Sequence, residues 1–125
     1  MLARILFIAA GGGIGALARY GLSGLVHRVI EASYPLGTFV VNVAGCFLFG
    51  FVWTIFEDRL LLSGDMRTAI LVGFMGSFTT FSTFIFESNQ LMRESQFLLT
   101  GLNIAGQVII GFVALYAGML LARML

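Results

Sequence analysis

The chain has 125 residues, 59% of them apolar, with seven basic and six acidic side chains and a formal net charge of +1. Soluble proteins carry roughly 25% charged residues and this chain carries 10%, which excludes an ordinary soluble enzyme or binding domain. The near-neutral balance gives no basic surface for a nucleic acid, and the composition is that of a protein whose solvent is lipid.

A hydrocarbon core about 30 Å thick needs about 20 mostly apolar residues per helix. The sequence supplies four such stretches, over about 2–26, 35–56, 66–86 and 97–121. They predict an all-α membrane protein, one four-helix transmembrane domain over 1–125, with almost nothing left for a soluble domain.

The first stretch is long and continues through its glycines, so it reads as a retained helix rather than a cleaved signal peptide. Gly11 and Gly15 have the small-xxx-small spacing that lets helix backbones approach closely. The same run, Gly11 to Ala16, also spells Gly-x-Gly-x-x-Ala, but no strand precedes it and no βαβ pattern follows, so a nucleotide site is set aside. Arg19 is an ionisable residue inside this span, and His27 sits at its end beside Arg28, a place for solvent or headgroup contact rather than metal ligation.

Pro35 suits the first turn of the second helix. Thr38 and Asn42, four residues apart, share one face of it. Cys46 is the sole cysteine, so no internal disulfide or thiolate cluster forms, and it reads as a small buried apolar side chain.

Asp65, after the Ser63-Gly64 turn, is the expected cap of the third helix. Within that helix, residues 73–84 read GFMGSFTTFSTF. Gly73, Gly76 and five hydroxyl side chains lower helix propensity at its centre, which predicts a break near the bilayer midplane over Gly76 to Thr79. Non-helical backbone at that depth is tolerated only where buried in protein or lining a cavity, and its freed carbonyls can bind a cation. Phe78, Phe81 and Phe84 recur at every third position, and Phe78 reads as packing or lipid contact. An aromatic ring is positive at its edge, so rings turned edge-on offer a weakly electropositive wall to an anion.

Asn103 and Gln107 repeat the four-residue spacing on the fourth helix. Polar side chains within spans are functional candidates because their burial is costly; the plainer reading is hydrogen bonding between helices, worth about 1 kcal/mol each. Glu87, towards the end of the third span, is the acidic group within the spans. A chain this small has little interior to shelter such groups, so an oligomer is expected. The residues together point to a small ion pathway in that oligomer and favour an anion.

All seven basic residues are arginines. Arg4, Arg59, Arg67 and Arg123 fall on the side of the termini, with Glu57, Asp58 and Asp65, while Arg28 and Arg93 fall opposite. That bias is too weak under the positive-inside rule to choose between one fixed orientation with cytoplasmic termini and insertion both ways round.

The 73–84 segment resembles the signature of the small bacterial fluoride channels of the Fluc (CrcB) family. So do Gly12-x-x-Gly15-Ala16-x-x-Arg19-Tyr20, the run Gly37-Thr38-Phe39-Val40-Val41-Asn42, and Glu87. The likeness covers essentially the whole chain. It implies a fluoride-specific channel in the bacterial inner membrane that passively exports fluoride: an antiparallel, dual-topology homodimer with two pores at the subunit interface. It further implies a structural, non-transported sodium ion on the backbone carbonyls of Gly76 and Thr79. Phe81 and Phe84 would offer ring edges to fluoride, with Ser82 and Thr83 nearby, Asn42 and Thr38 on the same polar track, Arg19 in the vestibule and Glu87 near one pore end.

The chain departs from the family at Ser77, where members often have a second glycine, and at Asn103 and Gln107, where they often have tyrosine and serine; these amides can still donate to fluoride. A small dual-topology multidrug exporter is the first rival, but it would carry a carboxylate in the first helix, where this chain has Arg19. A non-transporting membrane assembly subunit is the second, and would be inert in liposomes.

Overall fold

A computed structural model describes residues 1–30, 34–59 and 63–125, apart from the side chains of Asp58 and Arg59. The side-chain charges of Asp58 and Arg59 counted above therefore lie outside what is described. All regular structure among the described residues is helical: α1 (Leu2–Val29), α2 (Leu36–Arg59), α3 (Gly64–Thr68), a π-helical segment π1 (Ala69–Met75), α4 (Gly76–Phe78), α5 (Phe81–Arg93) and α6 (Phe97–Arg123). Among the described residues, four helices are long and apolar enough to cross a membrane: Leu2–Val29, Leu36–Glu57, Gly64–Arg93 and Phe97–Arg123. The third of these is the composite of α3, π1, α4 and α5.

The third span starts on Ser63, not on Asp65. Ser63 has extended backbone (φ −60°, ψ 152°) and its hydroxyl accepts from the Met66 N–H, which is the geometry of an N-cap. Asp65 already lies inside the first turn, where a carboxylate complements the helix dipole, and it pairs with Arg4 Nε at 2.8 Å. That pair brings the starts of the first and third spans to one end of the molecule. At the same end Trp53 Nε1 donates to Glu57 at 3.0 Å, and the Arg67 guanidinium lies 4.9 Å from the Trp53 ring centre, an amphipathic cluster suited to the membrane interface.

Packing between helices is set by glycine. A Cβ at Gly11 would meet the Ala69 carbonyl and one at Gly15 would meet the Phe74 carbonyl, so the two residues form a groove in α1 that receives π1. Gly15 is the buried residue of α1. The α2–α6 contact is made the same way, with Gly50 against the Leu115 backbone and Gly118 against that of Phe47. With lipid as solvent, close van der Waals contact replaces hydrophobic burial as the force between helices. Accordingly Leu17, Phe97 and Phe112 stand exposed on the outer faces.

The third span departs from a regular helix twice. Gly73 lies inside π1, with its backbone against Ile8 and Gly12 of α1; wide turns of this kind are frequent at functional sites. The break itself falls later than expected. Gly76 keeps helical dihedrals (φ −64°, ψ −30°), while Thr79 (φ −85°, ψ 160°) and Thr80 (φ −147°, ψ 112°) are extended. Glycine tolerates a break but does not dictate one, and here two β-branched residues that favour extended backbone take it. After the break α5 runs on to Arg93, so Glu87 lies mid-helix rather than closing the span. Ser95 in the left-handed region (φ 59°) ends the turn, and α6 returns alongside.

Candidate functional site

The break releases backbone groups inside an apolar span, and side chains from two helices and from Thr80 itself take them up. Asn42, on α2, accepts from the Thr80 N–H at 2.9 Å and donates to the Thr80 carbonyl at 3.1 Å. Its amide therefore mimics a neighbouring strand against the extended residue. Thr80 also caps α5: its hydroxyl accepts from the Thr83 N–H and lies 2.8 Å from the Thr83 hydroxyl. Arg19, reaching from α1, donates to the Thr79 carbonyl at 3.4 Å.

The two polar stripes meet. Asn42 spends its second N–H on Gln107 Oε1 at 2.7 Å, Gln107 donates to Asn103 Oδ1 at 3.0 Å, and Asn103 donates to Ser88 Oγ at 2.9 Å. Asn103 is fully buried and Gln107 nearly so. One turn before Asn42, the buried Thr38 hydroxyl donates to Glu87 Oε1 at 2.7 Å. The other Glu87 oxygen is buried without a hydrogen-bond partner among the described residues.

The phenylalanines are arranged differently from one another. Phe78 is buried and stacks on Phe74 with ring centres 5.7 Å apart, the packing role read from the sequence. Phe81 and Phe84 are tilted at 57° with centres 5.7 Å apart, yet Phe81 is 74% exposed and Phe84 only 6%. They follow one another on α5 with Ser82 and Thr83, both exposed, between them.

Two clefts flank the break. One, of about 410 Å³, is lined by Arg19, Ser23, His27, Thr38, Thr80 and Thr83. The other, of about 300 Å³, is lined by Asn42, Gly45, Thr79, Thr80, Phe81 and Leu115. Thr80 belongs to both, so the extended segment is the partition between a cleft containing a cation and a cleft containing an aromatic ring.

Most sequence-predicted residues converge on this partition: Arg19, Asn42, Thr79, Phe81, Thr83 and Gln107 touch it or one residue that does, and Thr38 lines the first cleft with Thr80. Gly76 stands one turn before it, and Glu87 accepts from Thr38 of the first cleft. Two residues were missed. Thr80 had a signal, because Thr80-x-x-Thr83 just after a break is N-cap spacing. Ser88 had none beyond its place one turn after Phe84.

Residues 6–119 match the model of a family described as CrcB-like protein, Camphor Resistance (CrcB). The chain belongs to the CrcB family. Its relatives within that family match end to end. It is 51% identical over 125 residues, the whole of both chains, to a protein of Solidesulfovibrio magneticus named fluoride-specific ion channel FluC. Proteins of the same name from Maridesulfovibrio salexigens and Nitrosococcus oceani are 50% identical over 98% of this chain and 97% of the relative, and 46% identical over the whole of both. With its four apolar spans, this CrcB chain is a multi-pass bacterial membrane protein.

Proposed function

We propose that the protein is a fluoride-specific ion channel that lets fluoride leave the cell passively, and that its path crosses the Thr79-Thr80 partition. The observation that carries this reading is the pair of clefts sharing Thr80, one holding Arg19 and the other Phe81. The names of its full-length relatives point to the ion.

Along that path the lining suits a small anion. Arg19 attracts it into the first cleft. Ser82 and Thr83 offer hydroxyls and Phe81 and Phe84 offer ring edges, while Thr38 lines the first cleft with its proton held by Glu87 and Asn42 braces the partition with both amide N–H groups engaged. Gln107 and Asn103 stand behind Asn42, each using one amide N–H in the hydrogen bonds given above and each having another to donate. The carboxylate of Glu87, at the far end of the track, is engaged by Thr38. An interior-negative potential expels an anion at about 2.3 kcal/mol per charge per 100 mV, so no coupled ion or nucleotide and no enzymatic step is needed.

The assembly we propose is an antiparallel, dual-topology homodimer. Exposed Ser82, Thr83 and Gly76 lie at a depth where lipid satisfies no polar group, and a second copy would cover them. The same contact would complete a structural sodium site. The Thr80 N–H that would bond the Gly76 carbonyl in a continuous helix goes to Asn42 instead, which frees that carbonyl, and a Cβ at Gly76 would meet nothing within 4 Å. The Thr79 carbonyl points to Arg19 at a long 3.4 Å, leaving its second lone pair for a cation. Gly76 and Thr79 of one chain supply too few oxygens for a sodium ion, and the same pair from a second copy doubles the set. Complete removal of sodium is then expected to shift the purified protein from dimer towards monomer by size exclusion; an unchanged dimer would count against the ion.

The function is tested by efflux from liposomes containing only this protein, with fluoride and chloride compared. Fluoride efflux far exceeding chloride efflux is expected, and folded protein that releases no fluoride would refute the reading. Replacing Phe81 or Phe84 by isoleucine keeps bulk but removes the electropositive ring edge. Each variant is expected to slow fluoride efflux by about tenfold or more, the equivalent of about 1.4 kcal/mol in the barrier, and normal rates in both would remove the rings from the path.

A further inference from the structure

The polar side chains behind the partition form one hydrogen-bonded chain with a fixed direction. It runs from the Thr80 N–H to Asn42 Oδ1 (2.9 Å), from Asn42 Nδ2 to Gln107 Oε1 (2.7 Å), from Gln107 Nε2 to Asn103 Oδ1 (3.0 Å), from Asn103 Nδ2 to Ser88 Oγ (2.9 Å), and from Ser88 Oγ to the Phe84 carbonyl (2.7 Å). Both ends are backbone groups of the same short stretch, Thr80 to Phe84, which opens α5 and carries both pathway phenylalanines.

The direction follows from chemistry at the ends. A backbone N–H can only donate and a backbone carbonyl can only accept. Asn42 meets both on Thr80, so its carbonyl oxygen must face the N–H and its NH₂ the carbonyl. Its remaining N–H then requires an oxygen from Gln107, which turns the Gln107 NH₂ to Asn103, and so on to Ser88. A hydroxyl both donates and accepts, which lets Ser88 take the last amide N–H and pass its own proton to a carbonyl. Ser88 is 4% exposed and Asn103 0%, so water offers no substitute at this end.

We propose that Ser88 is a positioning residue of the ion pathway: it closes this chain, and through Asn103 and Gln107 it holds the Asn42 amide and the first turn of α5 in the geometry that selects the ion. Back-bonding of a buried serine to the carbonyl four residues earlier is common and by itself structural. Ser88 differs because its loss cannot be relieved by turning the amides over. Flipping Asn103 sets two NH₂ groups together at Gln107, flipping Gln107 moves that conflict to Asn42, and Asn42 is locked by the Thr80 backbone. Loss of the hydroxyl two turns along α5 is therefore felt at the partition through α6 and α2.

The effect on transport rests on the channel reading above, whereas the effect on the backbone does not. The test compares the wild-type protein with Ser88→Ala, Ser88→Thr and Gln107→Met in two measurements: hydrogen exchange at the Thr80 amide, followed by NMR in detergent, and the ratio of fluoride to chloride efflux from liposomes. Ser88→Ala is expected to speed Thr80 exchange by about tenfold, the size of effect that one lost buried hydrogen bond produces, and to lower the efflux ratio while the dimer elutes unchanged. Ser88→Thr, which keeps the hydroxyl, should restore both. Gln107→Met opens the chain at another link and should loosen Thr80 alike, so the inference can be judged even if Ser88→Ala does not fold. Unchanged Thr80 exchange in either chain-breaking variant, or an unchanged efflux ratio in folded Ser88→Ala, overturns the proposal. If the wild-type protein itself releases no fluoride, the channel reading fails and Thr80 exchange alone decides whether the chain is a positioning device.

Discussion

Replacing Asn42 by aspartate should all but abolish fluoride efflux, by at least about 100-fold, while leaving four helices in place. The carboxylate can still accept from the Thr80 N–H, but it has no N–H for the Thr80 carbonyl or for Gln107 Oε1, the two acceptors that Asn42 now serves at 3.1 and 2.7 Å. The Thr80 carbonyl is left facing a carboxylate oxygen, and Gln107 can donate to that carboxylate only if the whole chain through Asn103 to Ser88 turns over. The substitution also places a negative charge on the wall that a fluoride ion must pass. At about 4 Å and an effective dielectric of about 20, that repulsion is about 4 kcal/mol, and each 1.36 kcal/mol or so in a barrier is a factor of ten in rate. The measurement is efflux from liposomes above neutral pH, with the helical content checked by circular dichroism. Near-normal fluoride release from folded Asn42→Asp protein would take Asn42 and the partition off the ion path.

Gly15→Val should cost more stability than any other substitution considered. A Cβ at Gly15 would stand inside van der Waals contact with the Phe74 carbonyl, which belongs to the π1 backbone and cannot swing aside as a flexible side chain would. The helices must separate, and overpacking of this kind costs about 3 kcal/mol or more. It would also displace Arg19, one turn further along α1, from the Thr79 carbonyl. Thermal unfolding in detergent should show a large drop in midpoint or no folded protein at all. Gly13→Ala is the internal control: a Cβ there meets nothing within 4 Å, and replacing a helical glycine by alanine gains up to about 1 kcal/mol in propensity. Equal effects from the two substitutions would show that the groove around Gly15 is not what joins α1 to π1.

The candidate site was legible in unequal parts. Thr38, Asn42, Asn103 and Gln107 declared themselves by being polar at helical spacing within apolar runs, and spacing along one helix is a local property. That Asn42 would meet Gln107 while Thr38 would meet Glu87 was not legible, because it depends on how α2 is rotated and how deep it sits against α5 and α6. The break was legible as a region but misplaced: Gly76, the weakest helix former, stayed helical, while Thr79 and Thr80 became extended beside an amide on α2 able to bond them. The cap falls on Ser63 rather than Asp65 for a similar reason, since Asp65 is engaged by Arg4 of α1, 61 positions away. Phe81 and Phe84 looked equivalent at every-third spacing, yet one faces outward and the other is buried, a difference that depends on how α5 is rotated in the fold.

From the amino-acid order alone come the four spans, the all-helical class, the small-residue groove at Gly11 and Gly15, and the chemical types available to an ion. The spans and the helical class follow from the bilayer's thickness and its intolerance of unsatisfied polar groups, and the groove follows from the spacing of small residues along one helix, all of which are local to a segment. Tertiary structure alone decided that Thr80 is the shared wall of two clefts, that Arg19 reaches the Thr79 carbonyl, and that Ser88 closes a chain begun at Thr80. These contacts join residues up to 65 positions apart, and hydrogen bonds act only over about 3 Å, so they exist only once the helices have been docked in one rotation and at one depth.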